Sequence, residues 1–226
     1  MTHPLDRPIW SALTTRQQAL AEGGGLARRY PPDVTPFADI ADMSPESFAA
    51  LGGLMSNSEF AVLFTPDAVN APAEFDVGLE KPGEQLIGTP AEAAIPGIEP
   101  VTLGAADVAE MMALVELTKP GPFGPRTHEL GTFLGIRVGG KLVAMAGERM
   151  KPGNYTEMTA ICVHPDYRGR GYAQVLLGAI ASQILARGEI PFLHAFSDNN
   201  SAIALYQRQG MTIRRQLQVT VLRKRG

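Results

Sequence analysis

Val163-His164-Pro165-Asp166-Tyr167-Arg168-Gly169-Arg170-Gly171-Tyr172-Ala173 is the stretch on which the fold turns. An apolar run over residues 158–163 enters a proline, then a turn with two glycines. A segment follows in which Leu176, Ile180 and Ile184 recur at helical spacing. A strand, tight turn and helix in that order place free backbone N–H groups at a helix N-terminus, where the dipole also favours negative charge. Gly169 and Gly171 let a ligand approach the backbone closely, Ala173 keeps the first helical turn small, and Arg168 and Arg170 supply charge suited to phosphate oxygens. The expected product is an anion cradle sized for a pyrophosphate. A lone Gly-x-Gly equally serves bare turn geometry, so the neighbouring residues have to decide. A dinucleotide fingerprint lacks its third glycine here, and a P-loop lacks the Gly-Lys-Ser/Thr that must follow the turn. The Arg-Gly pairs are isolated and open a helix, unlike an RNA-binding tract.

Three motifs in order resolve the choice. Arg168-Gly-Arg-Gly-Tyr-Ala173 resembles the (Gln/Arg)-x-x-Gly-x-(Gly/Ala) signature of the GCN5-related N-acetyltransferase (GNAT) superfamily. Upstream, Glu157-Met-Thr-Ala-Ile-Cys-Val163-His-Pro165 is similar to that family's fourth strand and its Val-x-Pro exit. Downstream, Asn199-Asn-Ser-Ala202-Ile-Ala-Leu205-Tyr206-Gln-Arg-Gln-Gly210-Met211 resembles its Asn-x-x-Ala-x-x-Leu-Tyr-x-x-x-Gly-Phe segment, with Met211 in place of the usual Phe. The tract from Tyr167 to Tyr206 looks closest to the branch that includes the C-terminal domain of glycine N-acyltransferases.

The resemblance implies an acyltransferase that uses acetyl-CoA as co-substrate and no metal. The backbone of Ile161, Cys162 and Val163 is expected to pair with the pantetheine arm like an added strand. The amides of Arg168, Gly169, Arg170, Gly171, Tyr172 and Ala173 would hold the pyrophosphate. Asn199 lies seven residues before Tyr206, about two helical turns, so both share the face that borders the cofactor. Tyr206 is the candidate acid: a phenol with pKa near 10 keeps its proton at neutral pH and can give it to the departing thiolate. An amine with pKa of about 10.4 must lose a proton before it attacks. Glu157 is the candidate base, and water is the alternative. Cys162 inside an apolar strand is expected to be a small buried hydrophobe rather than a nucleophile. His164 and His194 are packing or surface residues by default. The competing function is a non-catalytic acyl-CoA-binding or assembly module of the same fold; the intact turn and Tyr206 speak against it.

Further out, residues 99–103 read as a strand and 105–118 as a helix. Residues 131–138 and 141–148 form a hairpin about Gly139-Gly140. Residues 191–196 are a strand, 199–208 a helix, and 211–222 a last strand. The expectation is an α/β fold, a mixed and largely antiparallel sheet flanked by helices, over residues 96–226. Residues 33–40, 44–56 and 59–64 give a strand, helix and strand with no cofactor motif. Residues 1–95 are therefore read as a smaller α/β part, an incomplete GNAT-like half that shapes the acceptor site or a homodimer contact. Prolines and glycines recur from Pro66 to Pro100, which reads as linker-like chain with a boundary near residue 95.

Composition narrows the function classes. The chain has 226 residues, 45% hydrophobic and 19% charged, which is globular. No run approaches the roughly 18 apolar residues of a membrane span, and the N-terminus lacks a secretory pattern. With one cysteine, Cys162, a disulfide framework is excluded and a reducing cytoplasm is expected. The four histidines show no metal-ligand spacing. Residues 151–226 carry ten Lys or Arg against four acids, a net +6, which leaves −9 for the rest of a chain of net −3. That asymmetry suits a small anionic ligand and argues against nucleic acid as partner. The acceptor is expected to be the amine of a small molecule or a peptide, its pocket built by the loops 117–130 and 150–156.

Overall fold

The computed structural model describes residues 3–226. Helix α1 (Pro8–Thr14) leads into three short strands, β1 (Glu22–Gly23), β2 (Ala27–Arg29) and β3 (Ala38–Ile40), then α2 (Pro45–Leu54). Strands β4 (Phe60–Thr65), β5 (Phe75–Ile87) and β6 (Val101–Leu103) precede α3 (Val108–Thr118) and the strands β7 (Phe133–Val138), β8 (Lys141–Glu148) and β9 (Tyr155–Val163). Helix α4 (Tyr172–Ala186), β10 (Ile190–Phe196), α5 (Asn200–Arg208) and β11 (Thr212–Lys224) complete the chain. Strands β1–β3 form a small sheet; the other eight form one sheet in the order β4-β11-β5-β10-β9-β8-β7-β6. Every neighbouring pair in the large sheet is antiparallel except β9 and β10. The mixed, largely antiparallel α/β architecture expected from the sequence is the one observed.

Local chemistry explains most element ends. Ser44 caps α2, its hydroxyl accepting from the Ser47 amide at 3.2 Å, and Pro45 takes the first position, where no amide is needed. Helix α4 buries Leu176, Ile180 and Ile184 completely against β7–β10, each contributing about 1.5–3 kcal/mol by removal from water. Gly188, left-handed at φ 73°, follows its last turn. Helix α3 covers the opposite face of β8 and β9, where Met111 and Leu114 meet Met145, Ala160 and Cys162.

One segment departs from the sequence reading. The linker-like stretch from Pro66 to Pro100 contains β5, thirteen residues long, which lies between β10 and β11 and pairs with both. Most of its prolines lie outside the strand. Pro82 is tolerated inside because its carbonyl accepts from Ser197 just past the end of β10. Its nitrogen faces the same way, past the end of β10, so the pairing with β11 loses no bond. Both β4 and β5 precede residue 95, yet they belong to the same sheet as everything after it.

Two irregularities open the sheet at its centre. Strands β9 and β10 pair only from Tyr155–Ile190 to Glu157–Phe192; beyond that β10 continues along β5 and leaves β9 unpaired on that side. On its other edge β9 carries one extra residue against β8, between the pairs Gly147–Thr159 and Met145–Cys162. Ala160 sits in this bulge at φ 52°, a left-handed conformation that bends the strand.

Candidate active site

The cleft left by β9 and β10 is the mouth of a cavity of about 950 Å³. Ile161, Cys162 and Val163 line it from β9, Arg168 to Ala173 from the turn, and Asn199 and Tyr206 from the start and last turn of α5. Residues up to 45 positions apart in sequence therefore share one wall.

The turn has the expected donor chemistry. Gly169 and Gly171 adopt φ 74° and 80°, both left-handed. The amides of Gly169, Arg170 and Gly171 meet no backbone acceptor among the described residues, and Tyr172 and Ala173 open α4, where amides lack an intrahelical partner. Arg170 stacks its guanidinium 5.0 Å from the Tyr167 ring, and Arg168 reaches the Val163 carbonyl at 3.4 Å. Such a donor set fits an anion and offers nothing to a metal. Among the described residues no group of three His, Cys, Asp or Glu side chains could hold one. Asn199 spends its side-chain oxygen on the cap of α5, accepting from the Ala202 amide at 3.2 Å and from Ser201 at 3.1 Å.

Tyr206 is almost wholly buried at the cavity wall. Burial first, and then the neighbouring Cys162, push its hydroxyl up to about 12. Burial also pushes the Cys162 thiol up to about 11, against hydrogen bonds with Thr118 and the Met145 backbone that pull it down. At neutral pH it stays a thiol, as its apolar strand suggested.

Glu157 is placed elsewhere than a base at the cleft would be. It is 0% exposed and does not line the cavity. Arg149 grips it with two hydrogen bonds of 2.8 Å, and His194 Nδ1 donates to it at 2.8 Å. Burial alone would raise its pKa; the Arg149 charge and these hydrogen bonds overturn that and hold it at about 2. A carboxylate so held is a weak proton acceptor. The side chains that face the cavity in its place are Arg149 and His194. Neither belongs to a motif. The signal for Arg149 was a charge at the end of an apolar strand, opposite an acid on the next one.

The far wall was not legible in advance. Phe37, Phe60, Val62, Phe64 and Leu79 come from the first 95 residues, with Val219 and Val221 from β11. Of the two loops expected to shape the acceptor pocket, residues 118–122 line the cavity and residues 150–156 do not. The second loop is pinned under the N-terminal segment instead: Gln17 accepts from the Lys151 amide at 2.9 Å and donates to the Arg149 carbonyl at 2.8 Å.

Comparison with known proteins agrees with this geometry. The family model described as FR47-like protein matches residues 133–219. N-alpha-acetyltransferase RimI of Mycobacterium tuberculosis is 35% identical over 127 residues, covering 50% of this chain and 78% of that protein. An acetyltransferase of Yersinia pestis is 34% identical over 85 residues, covering 36% of this chain and 57% of that protein. A crystal structure from Novosphingobium aromaticivorans DSM 12444, named as a GNAT-family acetyltransferase, is 39% identical and superimposes with a TM-score of 0.91 over 100% of both chains. With that likeness along its whole length, and with the splayed strands and amide-rich turn in place, the chain belongs to the GNAT family of acetyltransferases.

Proposed function

We propose that the protein transfers an acetyl group from acetyl-CoA to a primary amine by direct, sequential attack, both substrates occupying the cavity together. The observation that carries this reading is that one cavity joins the free amides of residues 169–173, the unpaired edge of β9 and Tyr206. The turn amides hold the pyrophosphate, with Arg168 and Arg170 adding charge. The backbone of Ile161, Cys162 and Val163 takes the pantetheine arm as an added strand, and Asn199 borders it from the start of α5. Tyr206 donates its proton to the departing sulfur. In the reaction an N–C bond forms and the C–S bond breaks. Of the two protons an ammonium acceptor gives up, one ends on the CoA sulfur and the other passes to water in the cavity. Glu157 takes no part in these proton transfers; it fixes Arg149 and His194 in the wall.

The division near residue 95 is, in this reading, one of role. Residues 96–226 carry the cofactor site, and residues 1–95 supply the acceptor wall. Within the family, the tract from Tyr167 to Tyr206 supports kinship with the glycine N-acyltransferase branch. An α-amine as acceptor draws support from the relative named N-alpha-acetyltransferase. A cytoplasmic setting is inferred from the single reduced cysteine. Among the described residues no helix is long and apolar enough to cross a membrane.

Thermal-shift titration with acetyl-CoA, CoA and ATP tests the reading without knowledge of the acceptor. At a hundredfold excess over Kd, mass action adds about 2.7 kcal/mol, which raises Tm by about 5–10 °C in a chain of this size. The expected result is a rise with both CoA ligands and none with ATP; no rise with either CoA ligand overturns the assignment.

A further inference from the structure

Arg149 is the one buried charge on the cavity wall among the described residues that the acetyl transfer leaves unused. The residue is 7% exposed. Its Nε and Nη2 donate to Glu157, and the face of its guanidinium lies 4.4 Å from the centre of the Phe37 ring. Nη1 has no hydrogen-bond partner among the described residues, and it is not sealed from the cavity. Open N–H groups on so deeply set a guanidinium are costly unless a bound molecule takes them. Their planar fork matches a carboxylate.

The surroundings narrow the class of molecule. Phe37, Val62, Phe64, Leu79 and Val219 make this end of the cavity apolar. His194 lines it too but has no lone pair or proton to offer. Its Nδ1–H goes to Glu157, and its Nε2 accepts from the Gln85 amide at 3.0 Å. The orientation of that amide is set on both sides: its oxygen takes Arg214 at 2.8 Å, and its nitrogen also donates to the Leu5 carbonyl at 2.9 Å. The imidazole therefore presents its ring, packed 4.6 Å from Phe64, and Arg149 alone of the two can bind an anion.

We propose that the acceptor is a free amino acid with an apolar side chain. Nη1 of Arg149 holds its carboxylate, and Phe37, Val62 and Phe64 pack its body. This rests on the acetyltransferase reading and specifies its substrate: a molecule with both amine and carboxylate free, not a peptide N-terminus. The product is the N-acetylated acid, with CoA thiol and one proton released to solvent.

The test measures thiol release from acetyl-CoA with L-phenylalanine, L-leucine and L-methionine. Each is set beside its decarboxylated amine, its amide and a peptide beginning with that residue. At least one free acid is expected to exceed all three of its partners in kcat/KM by about tenfold or more, as expected when a polar group built to bind is left unpaired. Arg149→Lys keeps a cation beside Glu157 and should raise KM for the acid by about tenfold while changing kcat/KM for the decarboxylated amine by no more than about twofold. Equal turnover of amines or peptides, or loss with both acceptor types in the variant, overturns the proposal. If Arg149→Lys does not fold, the wild-type comparison still decides. An acetyl-CoA thermal shift with no preference for the free acids sinks this inference alone; absence of that shift sinks the acetyltransferase reading beneath it.

Discussion

Tyr206 and Glu157, both proposed from sequence as proton carriers, end in opposite electrostatic settings. Burial holds the Tyr206 hydroxyl up at about 12, so it keeps a proton to give at any working pH. Tyr206→Phe should lower kcat on the order of 10²-fold with acetyl-CoA affinity unchanged, read by steady-state kinetics beside calorimetry. An unaltered kcat would hand the proton to solvent. Glu157 sits at about 2, below the ordinary carboxylate value of 4.5. Because its folded pKa is the lower one, the stabilisation is fully present above pH 4.5 and is lost as pH falls towards 2. It amounts to about 3 kcal/mol at neutral pH, with more than half gone at pH 3. Urea midpoints for the wild type and Glu157→Gln should therefore differ widely at pH 7, with the gap narrowed by more than half at pH 3; a gap independent of pH would contradict the buried ion pair. The motif spacing made Tyr206 legible because helix geometry is local. The surroundings of Glu157 were not legible, since Arg149 reaches it from just past the end of β8 and His194 from β10.

At the scale of elements, the decisive unit is β9, its turn and α4. The turn works because Gly171 is left-handed and stands directly before the free amides of α4. A side chain there is strained, and its Cβ would lie 3.2 Å from Ile95 Cδ1. Gly171→Glu adds bulk and negative charge where an anion is to bind. It should abolish CoA binding by calorimetry while far-UV circular dichroism stays native, and retained affinity would displace the pyrophosphate from this turn. Strand, turn and helix were all legible, because each is set by neighbours within about ten residues. The bulge at Ala160 was not: alanine carries no preference for a left-handed conformation, and pairing with β8 on one side and the end of pairing with β10 on the other impose it.

At the scale of the whole molecule, the sheet is continuous across the chain from β4 to β6, and β5 lies inside it, between β11 and β10. Strands β10 and β11 have no pairing with each other and meet only through β5. A fragment of residues 96–226 would expose one edge of β10 and both edges of β11, and lose Phe37, Phe64 and their neighbours from the core. It should be aggregation-prone and lack a cooperative melt by circular dichroism; a soluble, cooperatively folding fragment would show that the first 95 residues are dispensable for folding. By itself the sequence determined the fold class, the order of elements after residue 96 and the glycine turn before α4, because capping, periodicity and glycine chemistry act over short stretches. Only the tertiary structure decided that β5 forms within a proline-rich segment, that Glu157 is paired out of reach, and that residues 1–95 build the apolar wall opposite the turn. Those outcomes depend on which strands lie side by side, and such long-range pairing leaves no local mark in the chain.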